Sequence, residues 1–315
     1  MQEKDRKINK GFSYFTILVT VLLFVLISWS WAQSQEELIK QEADFSFIVT
    51  ADMRDYAEPE YQTSEYFLGA CEAIRDVGKG DFMVSPGDVD PPWHVRSVLD
   101  KVLGEDYLWY PVVGNHESET RADMNWLRKW GQNIPYLVRV GPENCEETMY
   151  SFDYKNAHFI AINQYCDGKS DNNKKGDIVD EIYHWVKADL EENNKPLVFI
   201  FGHEPIVSIP DIDSGRHRHK GINLDQYPEN SHRFQKLLRF HDVTAFFCGH
   251  THDASYSFIN GIWQFDAGHC RGMGDTGAPS TFLKVWIKDV HCFVEFYRAD
   301  ANGGNYILSH SIVVQ

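Results

Sequence analysis

The 315-residue chain sets 30 Lys and Arg against 46 Asp and Glu, a formal charge of −16, and is 43% hydrophobic, which excludes a disordered or fibrous protein. A chain of this length buries roughly three quarters of its extended surface, as one large α/β domain or two small ones. The acidic balance excludes unassisted binding of nucleic acid or of an anionic membrane through basic surfaces, so a phosphate-bearing ligand needs a local positive source.

Lys4, Arg6, Lys7 and Lys10 precede an uncharged stretch from Gly11 to Gln35. Its apolar part, Phe12 to Trp31, has the length of about 20 residues that spans a bilayer, beyond the roughly 7–15 of a signal-peptide core. Ser30-Trp31-Ala32 puts small residues where a signal peptidase reads, so residues 1–32 read as a cleaved signal peptide or a retained signal anchor. With basic residues before it and Glu36-Glu37 after it, either form leaves the rest outside the cytoplasm: secreted, periplasmic or held at the membrane. Membrane contact is expected through this segment only. Residues 33–45 (QSQEELIKQEADF) read as a polar tether, and residues 46–315 as one continuous domain.

Within that domain, apolar runs rich in β-branched and aromatic residues alternate with helical spacers, the pattern of βαβ units and a largely parallel sheet. SFIVTA (46–51) ends at Asp52, DFMVSPG (81–87) at Asp88, and WYPVVG (109–114) at Asn115. PLVFIFG (196–202) ends at His203 and VTAFFCG (243–249) at His250. Ligands in open α/β sheets bind beyond the carboxyl ends of strands, where a Gly lets the backbone turn sharply. Asp, Asn and His are oxygen and imidazole donors for hard or borderline divalent cations. His252 lies two positions beyond His250, so in an extended chain both point to one side and reach adjacent metals. Two cations about 3.5–4 Å apart clamp a phosphoryl group and supply the positive charge that the composition lacks.

The ordered set Asp52, Gly87-Asp88, Gly114-Asn115-His116-Glu117, Gly202-His203 and Gly249-His250-Thr251-His252 resembles the calcineurin-like metallophosphoesterase superfamily over residues 46 to about 270. The resemblance implies an α/β fold, a β-sandwich of two mixed sheets flanked by helices in four αββα layers. It also implies two divalent cations, Mn, Zn or Fe, with Asp88 bridging them. Asp52 and His252 would belong to the first cation, and Asn115, His203 and His250 to the second. A metal-bound hydroxide would attack the phosphate ester of a small phosphorylated substrate, and His116 would protonate the departing oxygen. The strand-like C-terminal runs SYSFING, IWQFDAG, TFLKVWIKD, HCFVEFYRA and NYILSHSIVV suit such a sandwich.

Two features depart from the family pattern. Its first motif commonly reads Asp-x-His, but the third position here is Arg54, and a guanidinium has no lone pair for a metal. The first metal site is then weakened, or takes a substitute ligand, or Arg54 turns away to bind a substrate phosphate oxygen. The last of these is carried forward as a catalytic role, with an ion pair to Asp55 or Asp90 as the alternative. In GDVDPP the acidic residue Asp90 falls two positions after Asp88, on its side of an extended chain and within reach of the first metal or its surroundings. The basic run Ser214 to Lys220, including Arg216 and His217, reads as a loop that grips an anionic substrate or as solvated surface. His269 and Arg271 in DAGHCRG follow a strand expected to return beside the metals, and His158, His184 and His291 read as structural.

Of six cysteines, Cys71 and Cys248 lie in apolar patterns and read as buried thiols. Cys145 and Cys166 are symmetric about a turn near Lys155-Asn156 and would face each other across a hairpin within disulfide range. Metal-dependent phosphoester hydrolysis is the leading function. A phosphodiesterase or pyrophosphohydrolase, and a non-catalytic metal- or ligand-binding homologue left by the Arg54 change, stay open beside it.

Overall fold

The computed structural model describes residues 18–21, 40, 43–54, 56–57, 60–270, 277–299 and 305–314. The segment 1–32 apart from its helical residues 18–21, most of the tether 33–45, Asp55 and Arg271 lie outside the described residues. Residues 1–43 form one unit and residues 44–315 another. Among the described residues no helix is long and apolar enough to cross a membrane.

In chain order, β1 (Phe45–Val49), β2 (Tyr56–Ala57) and β3 (Glu60–Tyr61) precede α1 (Thr63–Asp76), β4 (Phe82–Pro86) and α2 (Pro92–Leu103). Then come β5 (Leu108–Val112), α3 (Asn115–Glu119), α4 (Arg121–Gly131), β6 (Leu137–Val140), β7 (Tyr150–Tyr154) and β8 (Ala157–Ala161). Next are α5 (Asp180–Glu192), β9 (Leu197–Phe201), α6 (Pro228–Phe240) and β10 (Ala245–Cys248). The chain finishes with β11 (Ala254–Ile259), β12 (Ile262–Ala267), β13 (Thr281–Lys288), β14 (His291–Arg298) and β15 (Ile307–Val313).

Among the described residues the larger sheets have the orders β15-β14-β13-β1-β4-β5 and β11-β12-β10-β9-β8-β7-β6. Their centres are parallel: β1, β4 and β5 in one, and β8, β9, β10 and β12 in the other. The expectation of a largely parallel sheet is corrected at the flanks, where β13–β15, β6–β7 and β11 pair antiparallel. The reason is connection length. Asn260 and Gly261 join β11 to β12 with φ of 52° and 84°, a two-residue turn that can only reverse the chain.

Between the sheets lies an aromatic core: Phe47 and Phe82 stack at 5.3 Å between centroids, and Phe159 meets Phe47 edge-on at 5.4 Å. The outer faces are covered by helices. Phe67, Ala70, Cys71 and Ile74 form the buried stripe of α1 against the first sheet, and Ile182, Trp185, Val186 and Leu190 that of α5 against the second. The result is four layers, as the resemblance implied. Parallel strands enclosed this way bury both faces, which is why β1, β4 and β9 read as continuous apolar runs.

Cys145 and Cys166 form a disulfide with their Cα atoms 6.2 Å apart. They extend the β7–β8 register, in which Tyr150 faces Ala161. Such bonds persist in oxidising compartments. Cys71, Cys248, Cys270 and Cys292 are buried thiols.

His158 is structural: its buried ring is held at Nδ1 by Asp153 (2.7 Å) and at Nε2 by Asp189 (2.8 Å). Arg139 also pairs with Asp189, and Lys195 with Asp153. Burial alone lowers the affinity of His158 for its second proton, but the carboxylates of Asp189 and Asp153 outweigh it, and the pKa rises above the ordinary 6.5. The charged ring therefore stabilises the fold fully below about pH 6.5, and this contribution is lost as pH climbs through the higher folded value. The urea midpoint of the wild type should fall over that window relative to His158→Gln. Parallel pH profiles would contradict this reading.

Candidate metal centre

Five loops at the carboxyl ends of β1, β4, β5, β9 and β10 carry Asp52, Asp88, Asn115, His203 and His250. Gly87 has φ of +87°, and a Cβ there would strike the His203 ring, so only glycine lets β4 turn beneath it. The loops are stitched by backbone hydrogen bonds: Asp52 N–H donates to Gly87 O (3.1 Å), Arg54 N–H to Asp88 O (3.1 Å), and Gly249 N–H to His203 O (3.0 Å).

Asp52, Asp88 and His203 each offer a ligand atom within 4.8 Å of the others, and all three residues are buried. The His203 Nδ1–H donates to the Pro86 carbonyl at 2.9 Å. That bond leaves the Nε2 lone pair facing inward. Around Nε2 stand Asn115 Oδ1 at 3.0 Å, His250 Nδ1 at 3.1 Å and Asp88 Oδ1 at 3.3 Å. Four lone-pair atoms converging in a buried space fit a divalent cation, which would hold His203, Asn115, His250 and Asp88. In the protein alone, burial lowers the His203 pKa but Asp88 and Asp52 outweigh it and raise it. Burial and the adjacent His203 push His250 down to about 2, so its ring stays neutral and able to ligate.

The resemblance gives Asp52 and His252 to a further cation, and the two side chains do meet. Asp52 Oδ2 accepts the His250 N–H at 2.8 Å, while the buried Oδ1 lies 3.4 Å from His252 Nε2. A buried carboxylate oxygen beside an imidazole is a donor pair of the kind a divalent cation takes. Arg218 Nη1 donates to His252 Nδ1 at 2.5 Å, which puts the single proton of the neutral ring on Nε2. This contact must open before Nε2 can ligate. The extended-chain expectation for His250 and His252 is corrected: their φ values of 69° and 59° place both in a left-handed turn. They nonetheless face different donor sets, His250 towards His203 and Asn115 and His252 towards Asp52.

Arg54 adopts the ion-pair alternative, with Nε 2.8 Å from Asp90 Oδ2 and its guanidinium near the Tyr56 and Tyr61 rings. Asp90 is thus turned to Arg54 rather than aligned with Asp88, and it precedes the cis Pro91. The ring of His116 is one-third exposed, 3.8 Å from Asp88 Oδ2 through Nε2 and 3.5 Å from Glu119 through Nδ1.

The basic loop lies against the centre. Arg216 Nε pairs with Asp253 at 2.5 Å and its Nη2 donates to the His252 carbonyl at 3.0 Å, and His217 Nε2 bonds the Ser208 hydroxyl at 3.0 Å. Arg218 meets His252, and the His219 ring lies 4.4 Å from that of His250. His269 is buried behind the centre, donating to the Ala278 carbonyl at 3.0 Å with its ring 6.0 Å from His252. The sequence reading also assigned no role to Glu117, whose carboxylate accepts the N–H groups of Gly114 (2.7 Å), Asp88 (3.0 Å) and Val89 (2.7 Å). Its signal is its place in the GNHE motif. A larger cavity of about 550 Å³, lined by Trp109, Trp126 and Trp130, includes Leu108 at the start of β5, whereas Asn115 follows that strand's other end.

Residues 45–254 match the family model of the calcineurin-like phosphoesterases. Among curated proteins, tartrate-resistant acid phosphatase type 5 of Oryctolagus cuniculus is 21% identical over 268 residues, covering 77% of this chain and 75% of its own. Among solved structures, GAP50, the anchor in the inner membrane complex of Plasmodium, is similar with a TM-score of 0.54 at 14% identity, over 87% of this chain and 90% of that one. The structure of PhoD gives 0.56 at 11% identity, over 85% and 69%. At these identities the two structures speak to the fold alone.

Proposed function

The chain belongs to the calcineurin-like phosphoesterase family, and from that premise we propose that it hydrolyses phosphate esters of small molecules at this centre, with His116 as the proton donor. The observation that carries the proposal is the convergence of Asp88, Asn115, His203 and His250 lone pairs beside an exposed imidazole. When bound, divalent cations supply concentrated positive charge and acidify a coordinated water.

The chain's own residues do the rest. Asp88, Asn115, His203 and His250 would hold one cation, and Asp52 and His252, with Asp88 shared, a second, of Mn, Zn or Fe type. His116 stands at the open side of Asp88, where a departing alkoxide needs a proton. Glu119 Oε2 stands 3.5 Å from Nδ1 and helps to orient that ring. Arg218 and His219 border the same opening and offer donors to an anionic substrate. The domain works outside the cytoplasm, delivered by residues 1–32, which make its membrane contact; the Cys145–Cys166 disulfide supports this.

The test is a leaving-group series. His116→Ala should lose about 10²–10⁴-fold in kcat/KM on alkyl phosphates and far less on p-nitrophenyl phosphate, whose phenolate leaves unaided. An equal loss on both would remove His116 from the role of acid.

A further inference from the structure

Beside Arg54 lies a cavity of about 330 Å³ whose walls include Glu60, Tyr61, Trp93, His94 and Asp123, a volume at the low end for ligand clefts. Two of its lining residues continue the chain from loops of the metal centre. Pro91 at its edge follows Asp90, the partner of Arg54, and Thr120 follows α3, which carries Asn115 and His116.

The charge of the cavity is one-sided. Among the described residues no Lys or Arg lines it. Burial lowers the pKa of His94 and keeps that ring neutral. Arg54 pairs with Asp90 and also acts electrostatically on Asp123, so among these residues one guanidinium stands against three carboxylates, Asp90, Glu60 and Asp123. Asp123 is only 2% exposed, yet its Oδ1 has no hydrogen-bond partner. A buried, unpartnered carboxylate oxygen is costly unless a donor or cation arrives. Burial pushes the Asp123 pKa up to about 6, so above that pH the cavity wall is anionic.

The rest of the wall selects the kind of cation. Trp93, 39% exposed, brings an aromatic ring to the wall, and such rings attract soft organic cations; Tyr61 beside it already carries the Arg54 guanidinium. A bare metal ion would need several oxygens in a cage, whereas a neutral ring stacking on Trp93 would leave the carboxylates unmatched. We propose that this cavity receives an organic ammonium group, so that the preferred substrates are phosphate esters of amino alcohols. The proposal rests on the phosphoesterase reading of the metal centre, with the phosphate at the metals and the ammonium end against Trp93 and Asp123.

The probes are choline and its neutral isostere 3,3-dimethylbutan-1-ol, titrated into the full chain by calorimetry, with phosphocholine and glycerol phosphate compared as substrates. Choline should bind at least about tenfold more tightly than the isostere. Trp93→Ala, Glu60→Gln and Asp123→Asn should each erode that preference and raise KM for phosphocholine without raising it for glycerol phosphate. Trp93 and Glu60 are exposed, so the test stands even if Asp123→Asn does not fold. Equal affinity for the isostere, or no choline binding, would overturn the assignment. Binding requires no turnover. A chain that binds choline but hydrolyses no ester refutes the phosphoesterase reading and leaves the cavity's preference standing; one that hydrolyses p-nitrophenyl phosphate but ignores choline refutes the cavity assignment alone.

Discussion

Replacing Asp88 with Ala should lower phosphoesterase turnover by on the order of 10⁴-fold or more, beyond the loss of a proton donor alone, with the circular dichroism spectrum unchanged. Asp88 is the residue that the proposed metal-holding set and the proposed proton donor share. Its Oδ1 lies 3.3 Å from His203 Nε2 and accepts the His116 N–H at 3.2 Å, and its Oδ2 lies 3.8 Å from the His116 ring. Removing the carboxylate takes a ligand from the cations and slackens the turn that aims His116. Metal content should fall with activity. A variant that keeps both its metal and more than about a tenth of its turnover would show that the charge at Asp88 is dispensable, contrary to the part it has in holding the cations.

Glu117→Ala should be the most destabilising single change at the centre. Its two oxygens accept three backbone N–H groups, from Gly114, Asp88 and Val89. The side chain is fully buried, so water cannot replace them. Each abandoned donor costs about 1–3 kcal/mol, so a loss of roughly 3–9 kcal/mol is expected in urea unfolding, a large share of the ~5–15 kcal/mol that holds a domain together. Glu117→Gln keeps one carbonyl oxygen and should cost less. A loss below about 1 kcal/mol for the alanine variant would mean that the loops after β4 and β5 hold each other without Glu117.

How much of this was legible beforehand follows from what each residue's position depends on. β1, β4, β5, β9 and β10 were readable because parallel strands buried on both faces are unbroken apolar runs, and the polar residue that ends each run marks the metal side of the sheet. Cys145 and Cys166 were readable because a hairpin fixes its own register. The loop conformations were not. Asp52, Asp88, His250 and His252 all have positive φ, a backbone state that a side-chain pattern does not announce, so the extended-chain geometry assumed for these loops does not hold even where the pairings of His252 with Asp52 and of Asp90 with Arg54 do.

Partners far apart in sequence were equally hidden. Arg54 could be weighed between Asp55 and Asp90, but only the folded β1 and β4 loops bring it onto Asp90. In the basic loop, Asp253 and the His252 carbonyl hold Arg216, and Arg218 and His219 lie against the His252 and His250 side chains, pairings that sequence distance conceals. Asp123 gave no signal at all, because its significance lies in what its Oδ1 lacks.

The central claim is that the donors gathered at the strand ends hold the cations on which hydrolysis depends. It is tested most directly by stripping the full chain with a chelator, reloading it singly with Mn, Zn or Fe, and assaying p-nitrophenyl phosphate and bis-p-nitrophenyl phosphate beside His203→Ala. Hydrolysis should vanish on stripping and return with at least one metal in the wild type but not in the variant, and the favoured ester will separate monoesterase from diesterase. Hydrolysis that survives stripping, or that no metal restores to either ester, would contradict the claim.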